Sequence, residues 1–391
     1  MKYTCSVKVL ILFIFLFGST AIDAHVSLPI VFSDNMVLQQ GVPVSIWGNA
    51  MPNEKVTVKF QAQTKQTAAD ANGKWAVALD PLTATKIPQQ LTVKGKKNAV
   101  VRKNILIGEV WLASGQSNME YAMNSYTYFA KPQKGDPDHQ EKALKSAGNP
   151  IIRTLFVKQN LNTDTLPSDG WQMLGKKTLA PVSAPGYFFA KILADSLDVP
   201  VGLISTSWGG TVIESWMTTG ERYKKMVKPL VPYALRGFLW YQGESNLVNG
   251  DTPADYVFKQ KTLIETWRAE WGNAQLPFYF VQLAPHTYSQ KRGRSHVNTW
   301  EALPFFWAAQ TCFIEHPEKT VQNTGMVVTT DLVDNPNDIH PPYKWVVGER
   351  LARWVLANDY GKTGLVFCGP MYKSHRVEGN KMIVEFLHTG S

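Results

Sequence analysis

The chain has few cysteines, and no spacing in it fits a metal site. Three cysteines occur in 391 residues, and no CxxC, HxxxH or HExxH pattern brings metal ligands together. Cys5 precedes an apolar run near the start, which leaves Cys312 and Cys368 for the folded protein. These two can pair in an oxidising compartment or stay as buried thiols, and connectivity is not readable from sequence. We therefore expect no bound metal.

Charged residues are also scarce, at 18% of the chain. The formal net charge of +9 includes two lysines near the start, and the remaining basic residues are scattered. A nucleic-acid-binding protein needs basic residues grouped on one face. The sequence therefore predicts no nucleic-acid partner.

Long apolar runs are missing except for one, from Val9 to Phe17. It follows Lys2 and Lys8 and precedes small residues that end at Ala24, which is the pattern of a secretory signal peptide. Its apolar part is too short to remain as a membrane span. We predict a signal peptide at residues 1–24 and an exported protein without a membrane partner, periplasmic or extracellular, or lysosomal or secreted in a eukaryote. The oligomeric state is not predictable.

Short alternating runs fill residues 25–107, and turn residues separate them. "VPVSIWG", "EKVTVKFQAQ" and "GKWAVAL" have the two-residue period of strands, and no helical period occurs there. This region is predicted to be a small β-sandwich or jelly-roll domain.

Continuous apolar strands alternate with helical segments over residues 108–365. Strands are predicted at 109–114, 201–207, 237–242, 278–284 and 325–331, and helices at 187–197, 254–271, 303–316 and 344–358. This alternation predicts an α/β domain with a flavodoxin-like, doubly wound parallel sheet. The polar segment 131–150 is predicted to be a loop. Residues 366–391 return to β alternation and are predicted to form a separate β segment, and a lone hairpin must add to another sheet.

Ser117, in "WLASGQSNME", follows the first of these strands. Ligands bind outside the carboxyl ends of parallel strands, so polar residues at these ends are candidate site residues. A serine at a helix start has free amides beside it that stabilise an oxyanion. Serine is also a favoured helix cap. Ser117 is therefore a nucleophile, a cap, or both.

Two further strand ends carry small polar clusters. In "SWGG", two glycines let a backbone amide approach a ligand closely. In "WYQGESN", Asn246 can donate its side-chain amide to an oxyanion, and Glu244 is either an orienting acid or a loop acceptor. A plain turn and a capped helix start are the structural alternatives.

A serine nucleophile needs a general base, and His340 is the best candidate. It follows the fifth strand, has Asp338 two residues before it and is held by two prolines. A stiff loop that carries both groups can fix the imidazole orientation. His286, after the fourth strand, is the rival. The chemistry predicted is acyl transfer through an acyl-enzyme on Ser117.

Four ordered motifs, "SGQSNME", "STSWGGTVIESWM", "RGFLWYQGESN" and "NDIHPPYKWVVGERLA", resemble the sialate O-acetylesterases, carbohydrate esterases of the SGNH hydrolase superfamily. The segment "FSDNMVLQQGVPVSIWG" resembles the β domain that precedes their catalytic domain. The resemblance implies removal of O-acetyl groups from acetylated sugars, most simply O-acetylated sialic acids, without a cofactor. An acetyl xylan esterase and a non-catalytic carbohydrate-binding protein on the same scaffold are the alternatives.

By the same resemblance, Ser117 is the nucleophile, His340 the base and Asp338 its partner. The Ser117 amide, Gly210 and Asn246 would form the oxyanion hole. SGNH hydrolases place the aspartate three residues before the histidine, where this chain has Asn337, so three other acids remain possible: Asp334, Asp331 and Glu244.

Four residues within these motifs are predicted to contact the substrate: Gln116, Trp208, Gln242 and Glu244. Aromatic residues make up 12% of the chain, and several of them lie near the predicted pocket. Trp208, Trp216, Trp240 and Tyr241 can stack on sugar rings or can pack in the core.

Overall fold

The structure is a computed structural model, and it describes residues 25–288 and 302–389. The predicted signal peptide at residues 1–24 lies outside the described residues. No helix in the described part of the chain combines the length and the apolar character needed to cross a membrane.

The described chain contains fifteen strands and eight α-helices that we number in order. The strands are β1 (Val37–Gln39), β2 (Val44–Asn49), β3 (Lys55–Phe60), β4 (Gln63–Ala68), β5 (Lys74–Leu79), β6 (Thr85–Lys94), β7 (Ala99–Gly115), β8 (Ile152–Phe156), β9 (Trp171–Met173), β10 (Val201–Ser207), β11 (Gly237–Tyr241), β12 (Phe278–Val281), β13 (Thr324–Val327), β14 (Met371–Glu378) and β15 (Lys381–Leu387). The helices are α1 (Ser117–Glu120), α2 (His139–Lys145), α3 (Lys176–Leu179), α4 (Ala184–Leu197), α5 (Glu244–Asn249), α6 (Pro253–Glu270), α7 (Ala302–Glu315) and α8 (Lys344–Asn358).

Strands β1 to β6 and the first half of β7 form the all-β part of the chain. Strand β3 pairs antiparallel with β4 and β6, β6 pairs antiparallel with β7, and β2 pairs with β5 in a separate sheet. Inward side chains from both sheets, such as Ile46, Val58 and Trp75, belong to one buried cluster. The β character predicted for this region is confirmed, and the sandwich or jelly-roll assignment stays a prediction.

The second half of β7 is the central strand of the large sheet. The sheet order is β13-β12-β11-β7-β10-β8-β9, and all neighbours are parallel except β9, which runs antiparallel to β8. The five predicted strands are present, and they lie side by side in the order second, first, third, fourth, fifth. This is the strand order of flavodoxin-like doubly wound sheets. The predicted boundary between residues 107 and 108 falls inside β7, where the strand changes partners.

Helices cover both faces of the large sheet, and side chains alternate between two buried clusters. Trp111 and Ala113 on β7 pack with α4 and α8, whereas Val110 and Leu112 belong to the cluster that contains residues of α6 and α7. The four predicted helices are present within a few residues of their expected bounds. Because both faces are covered, the carboxyl edge of the sheet is where a ligand can reach the strand ends.

Three expectations are corrected by the structure. Segment 131–150 is not all loop, because it contains α2. An unpredicted parallel strand, β8, lies beside β10. The hairpin β14–β15 turns at Gly379 and forms its own two-stranded sheet instead of joining another. The cysteine alternative is also decided, because Cys312 and Cys368 are free thiols.

Candidate active site

Ser117 lies at the carboxyl end of the central strand β7. Gly115 ends the strand with φ +142°, and a Cβ built there would lie 2.1 Å from the Tyr241 carbonyl oxygen. Only glycine fits this sharp exit from the sheet. The turn places Ser117 at the first position of α1, partly exposed to solvent.

The alternative that Ser117 caps the helix is wrong. Gln116 occupies the N-cap position, in an extended conformation and without a side-chain capping bond. Ser117 is the next residue, so its hydroxyl is not the acceptor that holds the first amides of the helix. Helix α1 is a single turn that begins between two other strand ends, since the Gln116 amide donates to Tyr241 and the Trp208 amide donates to Gly115.

The two glycines after β10 lie next to this turn. A Cβ on Gly209 would be 3.4 Å from the Ser117 Cβ, and the Gly209 amide donates to the Glu120 carboxylate. Gly210 has φ +69°, and a Cβ there would meet nothing within 4 Å. Among the described residues, neither the Gly210 amide nor the Ser117 amide has a hydrogen-bond acceptor. Both amides can therefore donate to a ligand atom beside Ser117.

His340 and Asp338 lie on the loop before α8. The Asp338 carboxylate accepts a 2.8 Å hydrogen bond from the His340 amide, and its Oδ1 lies 3.9 Å from the imidazole Nδ1. The imidazole also packs against the Phe129 ring, with 4.9 Å between centroids. A separation of 3.9 Å is longer than a hydrogen bond, and catalytic bonds of this kind tighten when substrate binds. The rival His286 packs edge-on against Tyr288.

The other three candidate acids are engaged elsewhere. Asp331 forms a two-pronged ion pair with Arg350, which lowers the pKa of the Asp331 carboxyl. Asp334 accepts from the Tyr343 hydroxyl at 2.7 Å. Glu244 is buried and bonded to Asn118. Asp338, by contrast, has a carboxylate oxygen 3.9 Å from the His340 ring.

A buried polar group ties the serine turn to the histidine loop. The Asn118 amide donates to Glu244 Oε1 at 2.6 Å and to the Ile339 carbonyl oxygen at 3.0 Å. Its oxygen accepts from Lys344 Nζ at 2.5 Å. Asn118 follows Ser117 and Ile339 precedes His340, so this amide fixes the two loops to each other.

Asn246 does not have the oxyanion-hole geometry predicted for it. It is 1% exposed, and its two amide hydrogens go to the carboxylates of Glu214, at 3.0 Å, and Asp251, at 2.8 Å. Its oxygen accepts from the amide of Ile213 and from Gln242. With every donor taken by a neighbour, this side chain holds loops together and has no hydrogen left for a substrate oxygen.

Three of the four predicted substrate contacts are also interior residues. Gln116, Gln242 and Glu244 are buried. Gln242 donates to Gln116 at 3.1 Å, and the same Gln116 oxygen accepts from the Ser245 amide. These buried side chains therefore form part of the framework beneath the Ser117 turn.

Trp208 is the predicted contact that reaches solvent. It is partly exposed, and the Arg222 guanidinium lies 4.7 Å from its ring centroid. Trp216, Trp240 and Tyr241 are fully buried, so these three rings belong to the core and do not stack on a sugar.

Asn118, Glu120 and Lys344 were not predicted as site residues. Asn118 and Glu120 lie within "SGQSNME", where the helix period places one of them inward, but the sequence carries no sign of their partners. Lys344 carries the weakest signal, because lysine is almost never fully buried unless paired.

Comparisons with known proteins show which proteins this chain resembles. The sequence model of the family "Carbohydrate esterase, sialic acid-specific acetylesterase" matches residues 107–357. The sialate O-acetylesterases of Homo sapiens and Mus musculus are 29% and 28% identical, over 87% and 88% of this chain and 72% and 75% of theirs. A carbohydrate acetylesterase structure from Xanthomonas citri is 31% identical and superposes with a TM-score of 0.80, over 94% of this chain and 82% of that one.

The family match covers well over half of the chain, and it spans all four motifs and both loops of the candidate site. The alternative of a non-catalytic binding protein is set aside, because the serine and the histidine are both present and the relatives are esterases. The chain therefore belongs to the sialic acid-specific acetylesterase family of carbohydrate esterases and is a carboxylic-ester hydrolase.

Proposed function

We propose that this protein is a serine esterase that removes O-acetyl groups from O-acetylated sialic acids. The observation that carries the proposal is the Asn118 amide, which joins the residue after Ser117 to the residue before His340. A nucleophile and a base on two loops need such a connection to stay within reach of each other. The loop that carries His340 also carries Asp338.

The reaction follows the acyl-transfer scheme. Ser117 attacks the acetyl carbonyl carbon while His340 takes the hydroxyl proton, and Asp338 holds the imidazole in orientation. The Ser117 and Gly210 amides stabilise the oxyanion, a contribution of about 3 kcal/mol per donor where such donors have been removed. His340 returns the proton to the sugar oxygen as that oxygen leaves. It then activates the water that releases acetate from the acetyl-enzyme.

The wider assignments belong to the same proposal. The 2-1-3-4-5 order of the five strands supports an SGNH-type hydrolase domain at residues 108–365. The two sheets and shared core of the first part support a sandwich or jelly-roll domain at 25–107. Export rests on the signal-peptide pattern of residues 1–24.

Arg222 supports an acidic sugar as the substrate. Among the described residues no carboxylate pairs with it, and its buried Nε has no hydrogen-bond partner. Its guanidinium lies on the ring of Trp208, which precedes Gly209, and a Cβ on Gly209 would lie 3.4 Å from the Ser117 Cβ. An unpaired arginine is a ready partner for a carboxylate, which sialic acids have and xylan lacks.

A neutral acetylated polysaccharide is the second candidate. The Xanthomonas citri relative is a carbohydrate acetylesterase, an activity that covers neutral as well as acidic sugars. The two candidates share the mechanism and differ only in the sugar.

Acetate release separates the candidates. We expect the protein to release acetate from O-acetylated sialic acid faster than from acetylated xylan, with both rates lost in Ser117→Ala. Release from xylan alone would keep the mechanism and overturn the substrate. Equal, low rates for the protein and Ser117→Ala would overturn the catalytic assignment.

Replacing Arg222 by methionine tests the contact with the acid. A hydrogen bond to a charged group contributes about 1.5–3 kcal/mol, so KM for O-acetylated sialic acid should rise about 10- to 100-fold with little change in kcat. KM for 4-nitrophenyl acetate, which has no carboxylate, should stay unchanged and serves as the control. A parallel rise in KM for both esters would show that Arg222 supports the pocket in general and does not bind the acid.

A further inference from the structure

We infer that Lys344 is a positioning residue that, with Asn118 and Glu244, holds the His340 loop in place against the Ser117 turn. The inference rests on the proposed function, because the two segments that it joins carry the proposed nucleophile and base. It goes beyond that function by giving a task to a lysine that touches no reacting atom.

Lys344 is a fully buried cation at the start of α8, four residues after His340. Its ammonium donates to the Asn118 oxygen at 2.5 Å and lies over the rings of Tyr121 and Tyr241, at 4.9 and 5.5 Å from their centroids. Among the described residues no carboxylate lies within 4.0 Å of it. The charge is therefore held by one amide oxygen and two ring faces.

These contacts permit only one orientation of the Asn118 amide. An ammonium can only donate and a carboxylate can only accept, so the Asn118 oxygen faces Lys344 and its nitrogen faces Glu244. The nitrogen then also reaches the Ile339 carbonyl oxygen, next to His340. Lys344 thus fixes the amide that ties the serine turn to the histidine loop.

Glu244 balances the charge through the same amide. Burial raises the pKa of the Glu244 carboxyl, and the Asn118 bond and the Lys344 charge oppose that rise. One of its oxygens accepts from Asn118, and the other is buried without a partner among the described residues. Burial lowers the pKa of Lys344 to about 7, against the attraction of Glu244 and Asp338.

The buried set of Lys344, Asn118 and Glu244 is not expected to stabilise the fold more than apolar side chains would. Burying two opposite charges is costly, and replacing both by apolar groups is often neutral or stabilising, whereas removing only one leaves the other uncompensated and destabilises the fold. A role in positioning predicts a different result from a role in stability. If Lys344 positions the His340 loop, kcat should stay below the parent value even when both buried charges are removed together and the stability of the fold is restored.

Lys344→Met is the first test, measured with O-acetylated sialic acid and by thermal unfolding. Misplacement of a catalytic group by about 1 Å costs about 100-fold in rate, so we expect kcat to fall about 10- to 100-fold with KM unchanged. The unfolding midpoint should also fall, because the Glu244 carboxylate loses its balancing charge, and the double variant described next separates this effect from the effect on rate. Lys362→Met, which replaces an exposed lysine beyond the same helix, is the matched control and should behave as the parent.

The double variant Lys344→Met with Glu244→Gln keeps the test valid if the single variant does not fold. It removes both buried charges, so it should fold at least as well as the parent. Its kcat should exceed that of Lys344→Met, because no unbalanced Glu244 carboxylate is left in the interior. It should stay below the parent value, because the Asn118 amide is no longer held in one orientation. If Lys344 and Glu244 acted independently, the fold-change in kcat of the double variant would equal the product of the fold-changes of Lys344→Met and Glu244→Gln.

The pH dependence of stability checks that the Lys344 amine is buried in solution and gives up its proton more readily than in the unfolded chain. Its pKa is about 7 in the folded protein, against 10.5 for the ordinary group. The unfolded chain therefore binds this proton more tightly than the folded protein does. The free energy of unfolding then rises as the pH increases between those two values. The unfolding midpoint of Lys344→Met should rise less with pH over this range than that of the parent.

Three results would overturn the inference: a folded Lys344→Met with kcat within threefold of the parent, rate effects that multiply in the double variant, or equal pH dependence of stability in both proteins. Ser117→Ala, assayed alongside, keeps the two proposals apart. If Ser117→Ala is inactive and Lys344→Met is fully active, only the role of Lys344 fails. If Ser117→Ala remains active, the proposed function fails first.

Discussion

Replacing Ser117 by alanine is expected to lower kcat for acetate release by about 10⁶-fold, the loss seen when a triad serine is removed. The reason is that no other group can form the acetyl-enzyme at this strand end. The turn that places Ser117 depends on Gly115 and the Tyr241 carbonyl, and neither changes in the variant. KM and the unfolding midpoint should therefore stay near the parent values. Initial rates with O-acetylated sialic acid and thermal unfolding measure both.

Ser245→Ala is the matched control, because Ser245, the serine of "WYQGESN", also follows a strand of the large sheet and is also partly exposed. Its amide donates to Gln116 and stays in place in the variant. We expect a rate within threefold of the parent. If the Ser245 variant loses activity while Ser117→Ala keeps most of it, the nucleophile has been assigned to the wrong strand end.

Asp338→Asn is expected to lower kcat by about 10⁴-fold, as loss of the triad carboxylate does where it has been measured. An asparagine keeps the size of the side chain and removes the charge that stabilises the imidazolium. The carboxylate lies 3.9 Å from the His340 ring and also accepts from the His340 amide. The variant should therefore lose kcat with little change in KM, measured as acetate release across a pH series.

Asp334→Asn and Asp331→Asn are the controls for the third residue. Asp334 holds the Tyr343 hydroxyl and Asp331 pairs with Arg350, so neither should change kcat by more than about tenfold, the scale of a lost hydrogen bond or exposed ion pair. A loss of 10⁴-fold in Asp334→Asn with an active Asp338→Asn would move the carboxylate of the triad to position 334.

The fold could be predicted from the sequence where the spacing of apolar residues has a strong helix or strand period. Five apolar strands and four long helices have patterns that tertiary contacts reinforce. Strand β8 was missed because Arg153 and Thr154 interrupt its apolar run, although both are buried in the sheet. Helix α2 was missed because its segment is polar and short, with Leu144 as its buried apolar residue.

The sequence predicted which strand ends form the site, but not which way the side chains at those ends point. Parallel strands bring their carboxyl ends to one edge, which is how Ser117 and the Gly209–Gly210 pair came together. The sequence does not say whether a polar side chain at that edge points outward. Asn246 and Gln242 were assigned to a ligand, and the structure turns both inward to other side chains.

The partners of these inward groups come from distant parts of the chain. Asn118 meets Glu244 and Lys344 across separations of 126 and 226 residues. No local pattern specifies such pairings, because they depend on how three loops pack. The buried lysine is the clearest case, since composition alone places lysine on the surface.

Covalent labelling tests most directly the claim that Ser117 is a nucleophile activated by His340. The protein is treated with a phosphonate fluoride, which reacts with activated serines, and the labelled peptide is identified by mass spectrometry. We predict one label per chain, on Ser117, with acetate release lost in proportion and with labelling abolished in Ser117→Ala and strongly slowed in His340→Ala. A label on another residue, or full esterase activity after complete modification of Ser117, would contradict the account.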